Sequence, residues 1–313
     1  MTRAGRIAKS RALLEGLSMT LGSVAVVGLV GYGYNWYYKS LVLRKMETAF
    51  SAGYSSLEQA ALARQYSTSA QEKLELADVE HGNWIARTEQ ALIDKIVDGT
   101  VAGHYHLICG ERGTGKTSML LEATRKVNGE GVATMEAHGD LEVFRLRLGK
   151  ALNYEFHEDY IGSLFSFKGP RDATPLLDIE RAFNKMEKIA LYRRETVGRP
   201  LVLIINRAHL LRDDDEGRHL LDVIQQRAEL WAASKLVTIV FNSDEYWIEE
   251  RLNPQALRLR VLPVHDIPQN VAITALKSFR SKMFSEDVPL DTLEQVYAKV
   301  GGRLRFLSLV AKS

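Results

Sequence analysis

The sequence predicts an α/β fold: a parallel sheet with helices on both sides, a small α-helical lid after it, and one transmembrane helix before it. Three observations carry this. Apolar, β-prone runs alternate with amphipathic helical stretches from residue 105 to residue 262, the pattern of a parallel sheet with crossover helices. Between the first such strand and its helix stands a complete glycine–lysine loop, Gly110-Glu-Arg-Gly-Thr-Gly-Lys116-Thr117. Residues 16–38 carry no charged side chain at all.

Composition allows this and narrows the partners. The chain has 313 residues, 46% hydrophobic and 26% charged, enough for one large domain or two small ones with a full core. A net charge of +2 makes no whole-chain case for nucleic acid, which usually requires a concentrated basic face. A single cysteine, Cys109, excludes an internal disulfide framework.

The charge-free run spans 23 residues, roughly 35 Å as a helix against a hydrocarbon core of about 30 Å. Its centre runs from Leu21 to Val30, and Tyr32, Tyr34, Trp36, Tyr37 and Tyr38 crowd one end as an interfacial belt. Lys39, Arg44 and Lys45 can then snorkel to headgroups. A cleaved signal peptide would be shorter and end in small residues. Residues 1–15 carry Arg3, Arg6, Lys9 and Arg11 before the first acid, Glu15. That is the pattern of a mitochondrial targeting segment, and also of a positive-inside flank. The expectation is a single-pass protein of the mitochondrial inner membrane. Residues 39–80 read as a solvated juxtamembrane helical linker.

The loop matches G-x-x-x-x-G-K-[ST] in full. Tyr105–Cys109 before it is β-prone, and Ser118–Arg125 after it forms helix well. Gly110, Gly113 and Gly115 let the backbone curl until its N–H groups converge on phosphate. The helix N-terminus adds partial positive charge. Lys116 can reach the β- and γ-phosphates, and Thr117 can place its hydroxyl on Mg²⁺. The cofactor-binding set is Gly110, Glu111, Arg112, Gly113, Thr114, Gly115, Lys116, Thr117 and Ser118, with the Glu111 side chain turned to solvent.

Downstream strands are expected at 131–135, 200–205, 236–241 and 258–262, with helices at 141–152, 179–194 and 220–233 between them. Helices at 268–284, 290–300 and 303–311 form the lid, broken at Gly301-Gly302. The nucleotide domain thus covers 81–266 and the lid 267–313, with no further catalytic domain expected.

From residue 82 onward the chain resembles the AAA+ and STAND ATPases. Trp84–Glu89 is similar to the motif that lines the adenine pocket there, which adds Ile85 to the cofactor-binding set. Asn242, ending a buried strand, is similar in place to the sensor-1 residue. Gly301-Gly-Arg-Leu-Arg305 resembles the sensor-2 stretch, with Arg305 the better match and Arg303 the second. Gly198–Ile205 and Trp231-Ala-Ala add a narrower likeness to the ATPase part of fungal mitochondrial inner-membrane escape proteins, without the RNA-binding module expected there. The resemblance implies ATP and Mg²⁺ as cofactors, and it admits a homo-oligomer or a membrane-protein partner.

One departure from that pattern matters chemically. Active members end the third strand with Asp then Glu. Here Asn206 and Arg207 stand in those places. Asn keeps a hydrogen-bonding oxygen but no charge, and Arg is always protonated and cannot act as a base. The catalytic set is Lys116, Asn206, Asn242 and Arg305. Three replacements for the lost base present themselves: His209, a carboxylate from Asp213–Glu216, and Glu111 in the loop itself, read as pointing to solvent. The bland readings of the first two are a packing histidine and an acidic helix cap. Arg258 and Arg260 could reach a neighbour's nucleotide or simply face solvent. The basic helix with Lys185, Lys188, Arg193 and Arg194 reads as a solvated face. The expected function is a nucleotide-dependent scaffold or switch with weak hydrolysis. The alternative is an active ATPase that remodels membrane proteins.

Overall fold

The computed structural model describes residues 26–34, 36–53, 85, 87–156 and 174–312. At its centre is a five-stranded sheet of β1 (Tyr105–Cys109), β2 (Val132–Glu136), β3 (Leu201–Asn206), β4 (Val237–Ser243) and β5 (Leu259–Pro263). All neighbours pair in parallel, in the order β2-β3-β4-β1-β5. β1, β3 and β4 are buried at every position, including the polar His106, Asn206, Thr238, Asn242 and Ser243, as expected of largely apolar strands covered on both faces.

Helices cover both faces. Alternate residues of each strand point to opposite sides, so Ala133, Met135, Leu203 and Ile205 meet one set of helices and Val132, Val202 and Ile204 the other. The first set comprises α3 (Leu141–Ala151), α4 (Pro175–Thr196) and α5 (Asp215–Ser234), which bring Phe144, Phe183 and Trp231 into the core. The second comprises α1 (Gln90–Val97) and α2 (Lys116–Lys126), with Ile93, Ile96, Met119 and Leu120. The α1 helix has no counterpart in the elements expected from sequence.

Two helices start earlier than their apolar periodicity announces, because caps set their ends. Thr174 accepts from the Leu177 N–H ahead of Pro175, and Asp214 accepts from the Gly217 N–H at 2.8 Å. The acidic run at 213–216 is therefore a helix start: Asp214 caps α5 and Asp213 pairs with Arg218 at 2.8 Å. After β5 come α6's successors, once α6 (Trp247–Leu252) has closed the β4 side: α7 (Gln269–Phe284), α8 (Leu290–Val300) and α9 (Leu304–Lys312). These last three share their own apolar cluster, to which Ile85 adds.

Residues 26–34 and 36–48 are helical. Val26, Val27, Leu29, Val30, Tyr32, Trp36 and Tyr37 are 56–74% exposed. No helix among the described residues is long and apolar enough to cross a membrane. Residues 16–25 of the expected span, most of the linker and Trp84 lie outside the described residues.

The start of the expected solvated linker differs from that expectation. Val42, Met46, Ala49 and Phe50 are buried, and the last three belong to the main core. The Gly131 N–H donates to the Phe50 carbonyl at 2.9 Å, and the Asn153 amide donates to the Lys45 carbonyl at 3.0 Å. The segment is thus tied to the edge of the sheet beside β2. Its apolar residues recur at 42, 46, 49 and 50, a helical stripe that finds a surface to cover. Phe50→Ala is expected to cost about 3–5 kcal/mol of domain stability, as for other fully buried aromatics. Urea unfolding reads this directly, and a loss under about 1 kcal/mol, the range of an exposed substitution, would return the segment to the solvent.

Candidate active site

The site lies at the C-terminal ends of the strands, where parallel sheets place their ligands. Strand register aligns its parts: Ile108 pairs with Asn242, Glu136 with Asn206, and Cys109 with Pro263. β1 runs into the loop, and α2 leaves it at Lys116.

Gly113 and Gly115 hold φ of 91° and 99°, conformations that a side chain would strain. Gly110 serves differently from the expected curl. Its φ is not positive, and a Cβ there would fall 2.2 Å from the Val264 carbonyl oxygen, so it permits close approach of two chains.

Lys116 is buried, and its ammonium donates to the Gly110 and Glu111 carbonyls at 2.6 and 2.9 Å. It also pairs with Asp244 Oδ1 at 2.8 Å. A buried ammonium without such partners would be costly. Beside it the Asn242 amide bridges two neighbours, donating to Thr117 Oγ1 and to Asn206 Oδ1, each at 3.0 Å. Asn242 Oδ1 is itself buried with no hydrogen-bond partner among the described residues.

A cavity of about 1010 Å³ opens between this loop and α7 and α9, at the upper end of small-molecule sites, which run to about 1,000 Å³. Ile85, Lys116, Thr117, Asn242 and Arg305 all line it. So do Arg112, Gly113, Gly115 and Ser118. Asn206 and Arg303 are not in its wall. Asn206 sits behind Asn242 instead, and Arg303 pairs with Asp266 and Glu111. The Glu111 side chain is thus exposed but partnered.

Arg207 lines it too, and among the lining residues outside the sets expected from sequence are Arg87, Asp244 and Phe279. Arg87 donates to the Thr114 carbonyl at 2.9 Å and the His265 carbonyl at 2.7 Å, fixing the loop to the base of the lid. Its signal was present, since it lies inside Trp84–Glu89. Asp244 gave none, because only the turn after β4 brings it to Lys116. His209 stays outside the cavity and accepts the Asp244 N–H through Nδ1 at 3.1 Å. Burial holds its imidazole below the ordinary histidine range, against the raising pull of Asp244 and Glu245. It is a support for the Asp244 turn.

A model of the AAA ATPase domain matches residues 83–239, half of the chain. The chain belongs to the AAA ATPase domain family. No curated protein matches the chain. Among solved structures, the Walker-type ATPase of Pyrococcus abyssi is similar in fold, with a TM-score of 0.51 at 15% identity over 73% of this chain and 67% of that one. The Orc1 protein of Aeropyrum pernix, solved in complex with DNA, gives a TM-score of 0.48 at 14% identity, over 73% of this chain and 60% of that one. Cdc6p of Pyrobaculum aerophilum gives 0.44 at 14%, over 73% and 61%.

AAA ATPase domains imply ATP and Mg²⁺, and the residues present fit both. The curled loop offers N–H groups and an ammonium to phosphate. The unpartnered Asn242 Oδ1 beside the Thr117 hydroxyl is an acceptor awaiting a donor or cation. Among the described residues no group of three His, Cys, Asp or Glu side chains could hold a metal alone. Mg²⁺ would therefore rest on Thr117 and the phosphate oxygens, with Asn206 behind them, and would supply Lewis-acid charge there.

Proposed function

We propose that this AAA ATPase domain protein is a membrane-anchored, ATP-gated scaffold or switch with weak hydrolysis. The observation that carries it is the end of β3. Where active relatives place two acids, Asn206 spends its oxygen on the Asn242 amide, and Arg207 brings a guanidinium into the cavity wall. General-base help is worth about 10²–10⁴ in rate, and neither residue can give it.

Arg305 and the lid supply the gate. ATP in the cavity would touch the loop and α7 and α9 together, so binding would favour one lid position. The exposed apolar stretch from Val26 to Tyr37 supports the anchor. The basic first residues support the mitochondrial inner membrane as its place, and the narrower likeness to the fungal escape proteins belongs with that proposal. Of the basic face on α4, Lys185 lies over the Tyr154 ring, Arg193 pairs with Glu130, and Arg194 donates to the Ser234 carbonyl. Those contacts favour a structural use over nucleic acid.

The test is Mg-ATP titration of the full chain in lipid nanodiscs, with turnover measured on the same sample. Saturable binding is expected, with turnover well below ~1 s⁻¹, the lower end for ordinary enzymes. Turnover above that rate would favour the active remodelling ATPase instead. Absence of binding would refute the site, and a chain that stays soluble without lipid would refute the anchor.

A further inference from the structure

A carboxylate does stand at the level of the missing acids, on the neighbouring strand. Glu136 ends β2, in register with Asn206. Strand alternation places Val132, Thr134 and Glu136 on the α1–α2 side of the sheet. Val132 packs in the core of that side, and Thr134 lines a small cavity of about 20 Å³ with Thr117, Ile204 and Asn206. Such a space is about the size of one water. The next residue up on that face is Glu136.

Glu136 is held back by cations. Arg207 Nε lies 3.5 Å from its Oε1, and Arg147 Nη1 lies 3.9 Å from its Oε2. Arg207 itself lines the main cavity, so Glu136 is one ion pair away from it. The residue in the place of the lost glutamate is thus paired with a different glutamate.

We propose that Glu136 is the group that accepts the water proton in a slow ATP hydrolysis here, and that Arg207 is the positioning residue that restrains it. The water oxygen bonds to the γ-phosphorus as the bond to the β,γ-bridging oxygen breaks. The water proton passes to the Glu136 carboxylate and then to the released phosphate, leaving ADP. This rests on the reading that the loop holds ATP. Arg207 leaving Glu136 for the phosphates would free the carboxylate only when nucleotide is present.

Three full-chain variants test this: Glu136→Gln, Arg207→Gln and the two combined. ATP affinity, the identity of the bound nucleotide after acid quench, single-turnover rate and melting temperature are read on each. Glu136→Gln is expected to bind ATP within about threefold of the parent, to keep it as ATP, and to lose roughly 10²-fold in rate. Arg207→Gln is expected to turn over faster, and the combined variant to lose that gain. A merely structural pair would move the melting temperature and leave the rates alone. Unchanged turnover in Glu136→Gln, a gain in Arg207→Gln that survives loss of Glu136, or no turnover in any variant that binds ATP would each overturn the proposal. Failure of the parent to bind ATP would refute the reading of the site beneath it.

Discussion

Replacing Lys116 with alanine is expected to raise the Kd for Mg-ATP by roughly 10- to 100-fold, from the loss of a hydrogen bond between charged groups worth about 1.5–3 kcal/mol. Lys116 is the one buried cation of the loop, and two loop carbonyls and Asp244 already aim its ammonium. Phosphate would replace partners that are in place, so little ordering is required at binding. The fold should survive. The Asp244 side chain is 29% exposed and can rehydrate when its partner goes, whereas a fully enclosed carboxylate could not. Titration with a fluorescent ATP analogue, beside a melting curve of the nucleotide-free protein, separates lost binding from lost structure. An unchanged Kd in a folded variant would mean that the loop does not hold phosphate.

The largest gain is expected from restoring both acids. Asn206→Asp with Arg207→Glu should raise turnover by about 10²–10⁴ while ATP affinity stays within an order of magnitude. Asn206 already lies one hydrogen bond from Asn242, which lies one from Thr117, so Asp there would return negative charge behind the cation. Glu at 207 would stand in the cavity wall. It would also lose the present pairing with Glu136 and meet it as a like charge. This gain should persist when Glu136 is Gln, unlike that of Arg207→Gln, because the base is then at 207. Phosphate release under multiple-turnover conditions measures it. No gain in a variant that still binds ATP would show that the two replacements are not what limits hydrolysis.

Much of this architecture was legible in the residues. β3 is a continuous apolar run up to Asn206 and β4 is broken before its polar end only by Thr238, the form expected of strands buried on both faces. The loop announced itself because phosphate chemistry fixes residue types at fixed spacing. What escaped was settled by contacts distant in sequence. Phe50 and Met46 read as linker because four apolar residues spread over one short stretch, amid polar ones, do not declare the surface they will cover. Asp244 reached Lys116 through a turn. Glu136 looked like the charged end of a short strand, and its neighbour in space, Asn206, lies 70 residues away. Arg303 and Arg305 are close in sequence, but Arg303 precedes α9 and pairs with Asp266, while Arg305 lies in the first turn of α9 and faces the cavity.

The contact between α9 and the glycine loop has a temporal consequence. The Arg305 N–H donates to the Gly113 carbonyl at 3.1 Å, and Arg303 bonds Glu111. A Cβ on Gly115 would lie only 2.8 Å from Leu304 Cδ1. The floor and roof of the chamber are therefore joined by their own bonds, and a nucleotide that passed between them would have to part those bonds. Arrival and departure would both be slowed by the same opening. Such a protein would respond poorly to brief swings in nucleotide supply and would hold whichever nucleotide it last admitted. It would act as a clock with a long period, set by how often α9 lifts.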